Sequence, residues 1–120
     1  MKLAAKYDIE APADFVYREV SDFGAWERMA VRRGADVTRI DTLTKPGPGL
    51  EWLVNFKFRA KDRSARIKLM QAKPSSRLTI FIESGIADGE IIIELLDLAA
   101  TRTRVEVKLD VKPKTFAARL

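Results

Sequence analysis

The segment from Arg104 to Lys112 places the tightest constraint on how this chain can fold. Apolar and charged residues alternate through it without a break. Its apolar positions are Val105, Val107, Leu109 and Val111. Alternation with a period of two is the pattern of an antiparallel strand that has one face in the protein interior and the other in water. The apolar face has to be covered, so the sequence predicts a sheet packed against helices.

A helix is expected directly after this strand. Pro113 supplies the backbone angle of a first helical turn, and Phe116, Ala117 and Leu120 recur at the spacing of one helical face. About eight residues are too few for a helix that is stable alone. We therefore expect the natural helix to continue beyond Leu120, with only its start present here.

Composition limits the chemistry that is available. With 120 residues, the chain can form one domain that buries about two thirds of the surface of its unfolded state. It contains no cysteine and no histidine, which excludes disulfides, thiolate metal sites, a cysteine nucleophile and the Ser/His/Asp triad. Only carboxylate oxygens would be left to bind a metal ion. We predict neither a cofactor nor a metal ion.

Charge is distributed along the whole chain. The formal net charge is +5, from 22 basic and 17 acidic residues. Because the two signs are interleaved, the pattern is typical of a solvated surface of mixed charge. The alternative is weak attraction to an anionic membrane surface; specific binding of nucleic acid is not predicted. Charged residues interrupt the apolar residues of positions 1–10, so no signal peptide is expected and we predict a cytoplasmic protein.

The amino-terminal part is predicted to form a strand and two short helices. Residues 2–10 alternate between apolar and polar side chains. Pro12 and Asp14 favour the first turn of a helix. The predicted apolar stripe of this helix is Phe15, Val16 and Val20. Ser21 and Asp22 are typical capping residues and indicate a break before the second helix.

The rest of the chain is predicted to be almost entirely strands. The second helix ends before Gly34, and six strands follow. They are expected at residues 36–42, 51–60, 64–71, 77–83, 90–98 and 104–112. Turns are expected at residues 45–49, 61–63, 73–76 and 84–89, and a bulge between Leu95 and Leu98. Short connections favour an antiparallel meander, so we predict an α+β helix-grip fold with a curved seven-stranded sheet.

Four short segments resemble sequences of the START-like (SRPBCC) superfamily. They are residues 9–17 at the first helix, 21–26 at the second, 47–52 after the second strand and 101–105 entering the last strand. The resemblance covers essentially the whole chain and is, in particular, to the polyketide cyclase/dehydrase and lipid-transport group of small bacterial proteins. It implies that residues 1–120 form a single START-like domain that lacks most of its C-terminal helix.

For such a domain, the resemblance implies a cavity between the sheet and the C-terminal helix, where relatives hold lipids, sterols, polyketides, quinones or plant hormones. The residues predicted to line this cavity are Tyr7, Trp26, Met29, Arg39, Trp52, Val54, Phe56, Phe58, Leu69, Ile80, Ile93 and Val107. Each apolar member has a second interpretation, because a small sheet can use large side chains to fill its own core.

Two polar residues of the predicted lining invite a more specific role. The hydroxyl of Tyr7, if turned inward, needs a hydrogen-bond partner or a ligand. Arg39, with Asp41 as a nearby partner, could orient an acidic head group; the alternative is a solvated arginine. The carboxylates near strand ends are Glu83, Glu90 and Glu94. Surface charge explains these better than acid-base chemistry, and no catalytic residue is predicted.

Three functions stay open at this point. The first is binding or carriage of a small hydrophobic molecule, such as a lipid, a quinone or a polyketide-like compound, favoured by the inward aromatic residues and the scarcity of catalytic side chains. The second is a polyketide cyclase or aromatase in which Tyr7, Arg39 or a carboxylate handles protons. The third is a module that binds a macromolecule through its basic surface. One fold hosts many functions, so fold alone does not choose between them.

Overall fold

A single antiparallel sheet of seven strands accounts for most of the fold. The computed structural model describes residues 1–114. Its elements are β1 (Lys2–Ile9), α1 (Ala13–Val20), α2 (Phe23–Arg32), β2 (Asp36–Arg39), β3 (Glu51–Phe58), β4 (Lys61–Lys73), β5 (Arg77–Ser84), β6 (Ala87–Ala99) and β7 (Arg102–Pro113). The strands lie in the order β1-β7-β6-β5-β4-β3-β2. The predicted α+β arrangement, with one strand, two helices and six further strands, is confirmed.

Both helices pack on one face of the sheet, the inner face; the opposite face is the outer face. Val105 and Val107 of β7 pack with Val16 of α1, so the apolar positions of β7 are on the inner face and its charged positions are on the outer face. Directly paired residues share a face. The cross-strand partners of these valines on β1, Ala5 and Tyr7, are therefore inner-face residues as well.

Two clusters of buried side chains form under the helices. The first contains Phe23, Leu50, Trp52, Leu69, Leu78 and Ile80. The second contains Val16, Leu95 and Val105. Beside the second cluster, the fully buried Thr103 donates a hydrogen bond from Oγ1 to the carbonyl oxygen of Ala11 at 2.8 Å. This bond ties the link between β1 and α1 to β7.

The break between the two helices lies where the sequence predicts it. Asp22 is the N-cap of α2, and its carboxylate accepts a hydrogen bond from the backbone N of Ala25 at 3.1 Å. The helix ends at Arg32, ahead of Gly34, as predicted. Neither helix within residues 1–114 is long or apolar enough to cross a membrane.

Two details of α1 differ from the prediction. Pro12 has an extended backbone and is the N-cap, so the first helical residue is Ala13. Phe15, predicted to belong to the apolar stripe, is 46% exposed. Successive residues of a helix are about 100° apart, and with Val16 facing the sheet Phe15 points away from it. Its ring instead lies 5.9 Å from the guanidinium of Arg18.

The turn between β3 and β4 lies two residues earlier than predicted. β3 ends at Phe58 and β4 begins at Lys61. The turn residues are Arg59, with φ 53°, and Ala60, with φ 62°. A two-residue hairpin turn with both residues in the left-handed region normally carries Asn-Gly or another glycine pair. Without that signal, the turn was expected at the polar residues 61–63, which belong to β4.

Replacing Ala60 with glycine is expected to stabilise the protein. A left-handed φ strains a residue that has a Cβ and does not strain glycine. Relief of this strain is partly offset by the larger entropy of glycine in the unfolded chain. We expect Ala60→Gly to raise the free energy of unfolding by about 0.5–1 kcal/mol in total. Urea denaturation followed by circular dichroism measures it. Ala4→Gly, in the middle of β1, is the control and should lower stability; equal effects of the two substitutions would contradict the assigned turn.

The start of β6 also differs from the prediction. Asp88 and Gly89 were expected in a reversal and belong to the strand instead. The reversal lies between Ser84 and Ala87. Oγ of Ser84 donates a hydrogen bond to the carbonyl oxygen of Ala87 at 2.6 Å and accepts one from the backbone N of Ala87 at 3.1 Å. A register shift near the end of β6 confirms the predicted bulge.

The end of β7 lies later than predicted. Pro113, expected to begin a helix, is the last residue of the strand. The backbone N of Lys114 then donates a hydrogen bond to the carbonyl oxygen of Ile86 at 2.7 Å, which extends the pairing of β7 beside β6. The rest of the predicted C-terminal helix, residues 115–120, lies outside the described part of the chain.

Candidate functional site

The inner face is divided into a covered part and an open part. In the covered part, α2 lies over Trp52, Leu69 and Ile80, which are 3%, 0% and 2% exposed. Phe23 of α2 lies 5.8 Å from the Trp52 ring, centroid to centroid. These three residues were predicted to line a cavity, and the structure places them in the first buried cluster. Their predicted role in lining a cavity stays a prediction.

A hydrogen bond fixes α2 over this part of the sheet. The indole Nε1 of Trp52 donates to Oε1 of Glu27 at 2.7 Å. Trp26, one residue before Glu27, is half-buried and packs against the first cluster. Met29 is 54% exposed. The two α2 residues in the predicted lining are therefore in different environments, Trp26 in the packed interior and Met29 at the surface.

The open part of the inner face lies on β1 and its neighbours β7 and β6. Its residues are Leu3, Ala5, Tyr7 and Ile9 of β1 and Leu109 of β7. At its margin, Val107, Ile91 and Ile93 are half-buried and pack against the two clusters. Leu3 is 56% exposed and Tyr7 60% exposed. Among residues 1–114, only α1 and α2 pack on the inner face. Tyr7 was expected to need a buried partner for its hydroxyl; at this exposure the hydroxyl is within reach of water.

Arg39 is on the inner face at the other edge of the sheet and is paired with Asp41. Its Nε and Nη2 donate to the two carboxylate oxygens of Asp41 at 2.7 and 2.8 Å. The same carboxylate accepts hydrogen bonds from the backbone N of Leu43 and of Glu51. These donors, the arginine first, hold the pKa of Asp41 well below its ordinary value. The pair therefore fastens the loop between β2 and β3.

This pairing changes the interpretation of Arg39. Asp41 is its partner, as expected, but the arginine side chain is 40% exposed and not buried. The two donors that would hold an acidic head group are already used within the chain. A ligand-binding role of Arg39 stays a prediction, and with the Asp41 pair closed it would depend on the N–H groups of Nη1 and Nη2 that the pair does not use.

A cavity of about 860 Å³ lies between the end of α2 and the β3–β4 hairpin. Ala30 and Arg33 line it from the helix, and Phe56 and Arg63 from the sheet. Phe56 was predicted as lining; its strand neighbours Val54, half-buried, and Phe58, 37% exposed, frame the same end of the inner face. The cavity thus joins the inner face at the hairpin.

Arg63 lines this cavity but is not among the residues predicted from the sequence to line one. It was expected in a turn, whereas it pairs with Phe56 inside β4 and shares its face. One signal was available. Alternation extended backwards from Ala65, an inner-face position, places Arg63 on the same face.

Comparison with known proteins identifies the architecture. No protein-family model matches the sequence, and no curated protein is significantly similar to it. Solved structures do match. A START superfamily protein from Mycobacterium smegmatis superposes with a TM-score of 0.70 and 13% identity, over 96% of this chain and 79% of that one. The fold is START-like.

Two further solved structures match with similar scores. Ara h 8.0201 has a TM-score of 0.69 and 11% identity, over 97% of this chain and 79% of that one. The Zhui aromatase/cyclase from Streptomyces sp. R1128 has a TM-score of 0.68 and 13% identity, over 96% of this chain and 69% of that one. At identities this low, the structural similarity establishes the fold only, and function has to be argued from the residues of the site.

The outer face of the START-like sheet has a different character. A groove of about 590 Å³ is lined there by charged side chains of both signs and by Met70 and Phe81. Glu83 and Glu90 line this groove, and Glu94 forms outer-face ion pairs, 3.3 Å from Arg77 and 3.4 Å from Lys108. The three carboxylates considered for acid-base chemistry are therefore remote from the open part of the inner face. No cluster of side chains able to hold a metal ion is found within residues 1–114.

Proposed function

We propose that this protein binds a small hydrophobic molecule, such as a lipid, a quinone or a polyketide-like compound, on the open part of its inner face. The observation that carries the proposal is the exposure of apolar side chains on the inner face, beside the part that the two helices cover. Leu3, Tyr7 and Ile9 of β1 are 56%, 60% and 38% exposed. Apolar surface of this extent is costly in water and marks a binding site.

The neighbouring strands supply the rest of an apolar bed. Leu3 pairs with Leu109, which pairs with Ile91; Ala5 pairs with Val107, which pairs with Ile93. Two rows of aliphatic side chains thus cross three strands. Strand neighbours are about 4.8 Å apart, so the rows offer a bed about 10 Å wide that suits an acyl chain or a fused ring. The similarity to a START superfamily protein and to an aromatase/cyclase supports the proposal.

The polar groups near this bed favour binding over catalysis. Tyr17 of α1 packs against both buried clusters, and burial raises its pKa above the ordinary value. At neutral pH its hydroxyl stays protonated and is a hydrogen-bond donor, not a base. Tyr7, which is exposed, Arg39 and Arg63 are the other polar groups considered on this face, and an arginine stays protonated in this pH range.

The proposed function is tested with two neighbouring residues of β1 that point to opposite faces. Leu3 is on the inner face and Ala4 on the outer face, and both are exposed. We expect methyl cis-parinarate, a neutral fluorescent lipid, to bind saturably. Leu3→Lys should weaken binding by about tenfold or more, since it places a charge in the bed, an effect of about 1.4 kcal/mol. Ala4→Lys, the control, should change it less than about twofold.

Two results would count against the proposal. Equal effects of Leu3→Lys and Ala4→Lys would show that the lipid does not lie on the inner face. Failure of the wild-type protein to bind methyl cis-parinarate, a long-chain quinone and a polycyclic aromatic compound in native mass spectrometry would remove the function itself.

A further inference from the structure

Arg63 places a cationic group at the β4 end of the inner face. It is half-buried, and it lines the 860 Å³ cavity together with Phe56, its partner across the β3–β4 hairpin. The apolar bed of the inner face lies on the far side of β5. A charged side chain at this position is costly unless its polar atoms find partners.

One polar atom of Arg63 has no such partner. Its Nε is inaccessible to solvent and makes no hydrogen bond with any residue of the described chain, 1–114. The two carboxylates that line the cavity belong to Asp62 and Asp36. Asp62 is adjacent to Arg63 in β4, and Asp36 pairs with Asn55, so strand alternation directs both to the outer face. Buried donors are nearly always paired, and an exception calls for an explanation.

The charge around the cavity favours an anionic partner. Five charged side chains line it, the basic Arg33, Lys57 and Arg63 and the acidic Asp36 and Asp62, and Lys57 is on the outer face of the sheet with the two aspartates. Arg33 comes from the end of α2, across the cavity from Arg63. The lining therefore has a net positive charge, and an anion entering it meets attraction from two sides.

Arg39 shows what kind of partner an inner-face arginine takes in this protein. Its Nε and Nη2 bind the two oxygens of one carboxylate, at 2.7 and 2.8 Å. The Nε edge of a guanidinium matches a carboxylate in this bidentate way, and such pairs are shorter and stronger than neutral hydrogen bonds. Arg63 presents the same edge with no carboxylate of residues 1–114 against its Nε.

We propose that Arg63 binds the carboxylate of an amphipathic acid whose apolar body lies across the inner face. The inference rests on the proposed function and narrows its ligand to a long-chain or polycyclic carboxylic acid. From β4 the body would cross Ile82 of β5 and Gly89 of β6 towards Val111 of β7. Val111 is three strand spacings from β4 and is level with Ile67, four residues along β4 from Arg63, so the diagonal path along the sheet is about 20 Å, which is the reach of a long acyl chain.

The test compares an acid with its own ester in the same protein. We expect wild-type protein to bind cis-parinaric acid about tenfold more tightly than methyl cis-parinarate, at a pH well above the pKa of the acid. Arg63→Met should remove this preference. It should weaken binding of the acid and change the affinity for the ester by less than about twofold, because the two probes share the apolar contacts. Arg63→Lys keeps the positive charge but cannot donate two parallel hydrogen bonds to a carboxylate, so it should keep only part of the preference for the acid.

Arg66→Met is the matched control. Arg66 is on β4, three residues from Arg63, and is exposed on the outer face opposite Leu53. Its substitution removes the same charge and should leave the preference for the acid intact. Because the acid-to-ester ratio is measured within each variant, a partly destabilised protein still gives a usable answer.

The outcomes separate this inference from the proposed function. If wild-type protein binds the acid and the ester equally, or if Arg63→Met keeps the preference, the assignment to Arg63 is wrong while hydrophobic binding stands. If Arg66→Met removes the preference as fully as Arg63→Met does, the effect is one of net charge and the site is again wrong. If neither probe binds, both proposals fail.

Discussion

Trp52→Ala is expected to lower the free energy of unfolding by about 3–5 kcal/mol, the range found for large aromatic side chains removed from a core. Trp52 is 3% exposed and packs with Phe23 in the first buried cluster. Removal of its ring leaves a void under α2 that the rigid sheet cannot close. It also removes the indole donor that Glu27 accepts from at 2.7 Å, so the carboxylate loses its link to the sheet. Urea denaturation followed by circular dichroism measures the loss.

Phe58→Ala is the matched control for this prediction. Phe58 is on the same face of the same strand, six residues away, but it is 37% exposed and lies beyond the helices. We expect a loss of about 1 kcal/mol or less, as for a substitution outside the core. Similar losses at the two positions would mean that the covered and open parts of the inner face are not energetically distinct.

The contrast between Trp52 and Phe58 shows how far the sequence alone could predict the site. Alternation correctly placed both on one face, because the period of a strand is a local property. It could not place the boundary between the covered and open parts. That boundary depends on where α2 lands, which is decided by long-range contacts such as the one between Glu27 and Trp52.

The residues of the β3–β4 turn explain why the predicted and observed positions of this turn differ. The pairing of β1 with β7 joins distant parts of the chain and has no local signal. The meander of the other strands and the helix break follow from patterns that the sequence carries openly. The β3–β4 turn does not, because Arg59 and Ala60 adopt left-handed angles that usually require glycine or asparagine. A turn placed two residues late leaves the faces of the strand unchanged, since two is the strand period. Its only consequence for the site was to hide Arg63.

Val16→Asp is expected to have the largest effect of any single substitution considered, a loss of about 4 kcal/mol or more. Val16 is 2% exposed and packs against Leu95 and Val105, where α1 meets β6 and β7. A carboxylate there would be buried among aliphatic side chains, and no hydrogen bond or ion pair would offset the free energy of its desolvation. This is a large share of the total stability of about 5–15 kcal/mol of a domain, and we expect the melting temperature to fall by roughly 10 °C or more, visible in a thermal melt.

Phe15→Asp provides the control, because it adds the same charge one residue earlier on the opposite side of α1. Phe15 is 46% exposed, and a carboxylate near the start of a helix is favourable to its dipole. We expect a change within about 1 kcal/mol. If α1 were only loosely attached, Val16→Asp would release it at little cost and leave the sheet intact. Amide hydrogen exchange distinguishes the two cases, since loss of protection in β6 and β7 together with α1 requires that the helix and the inner face unfold as one unit.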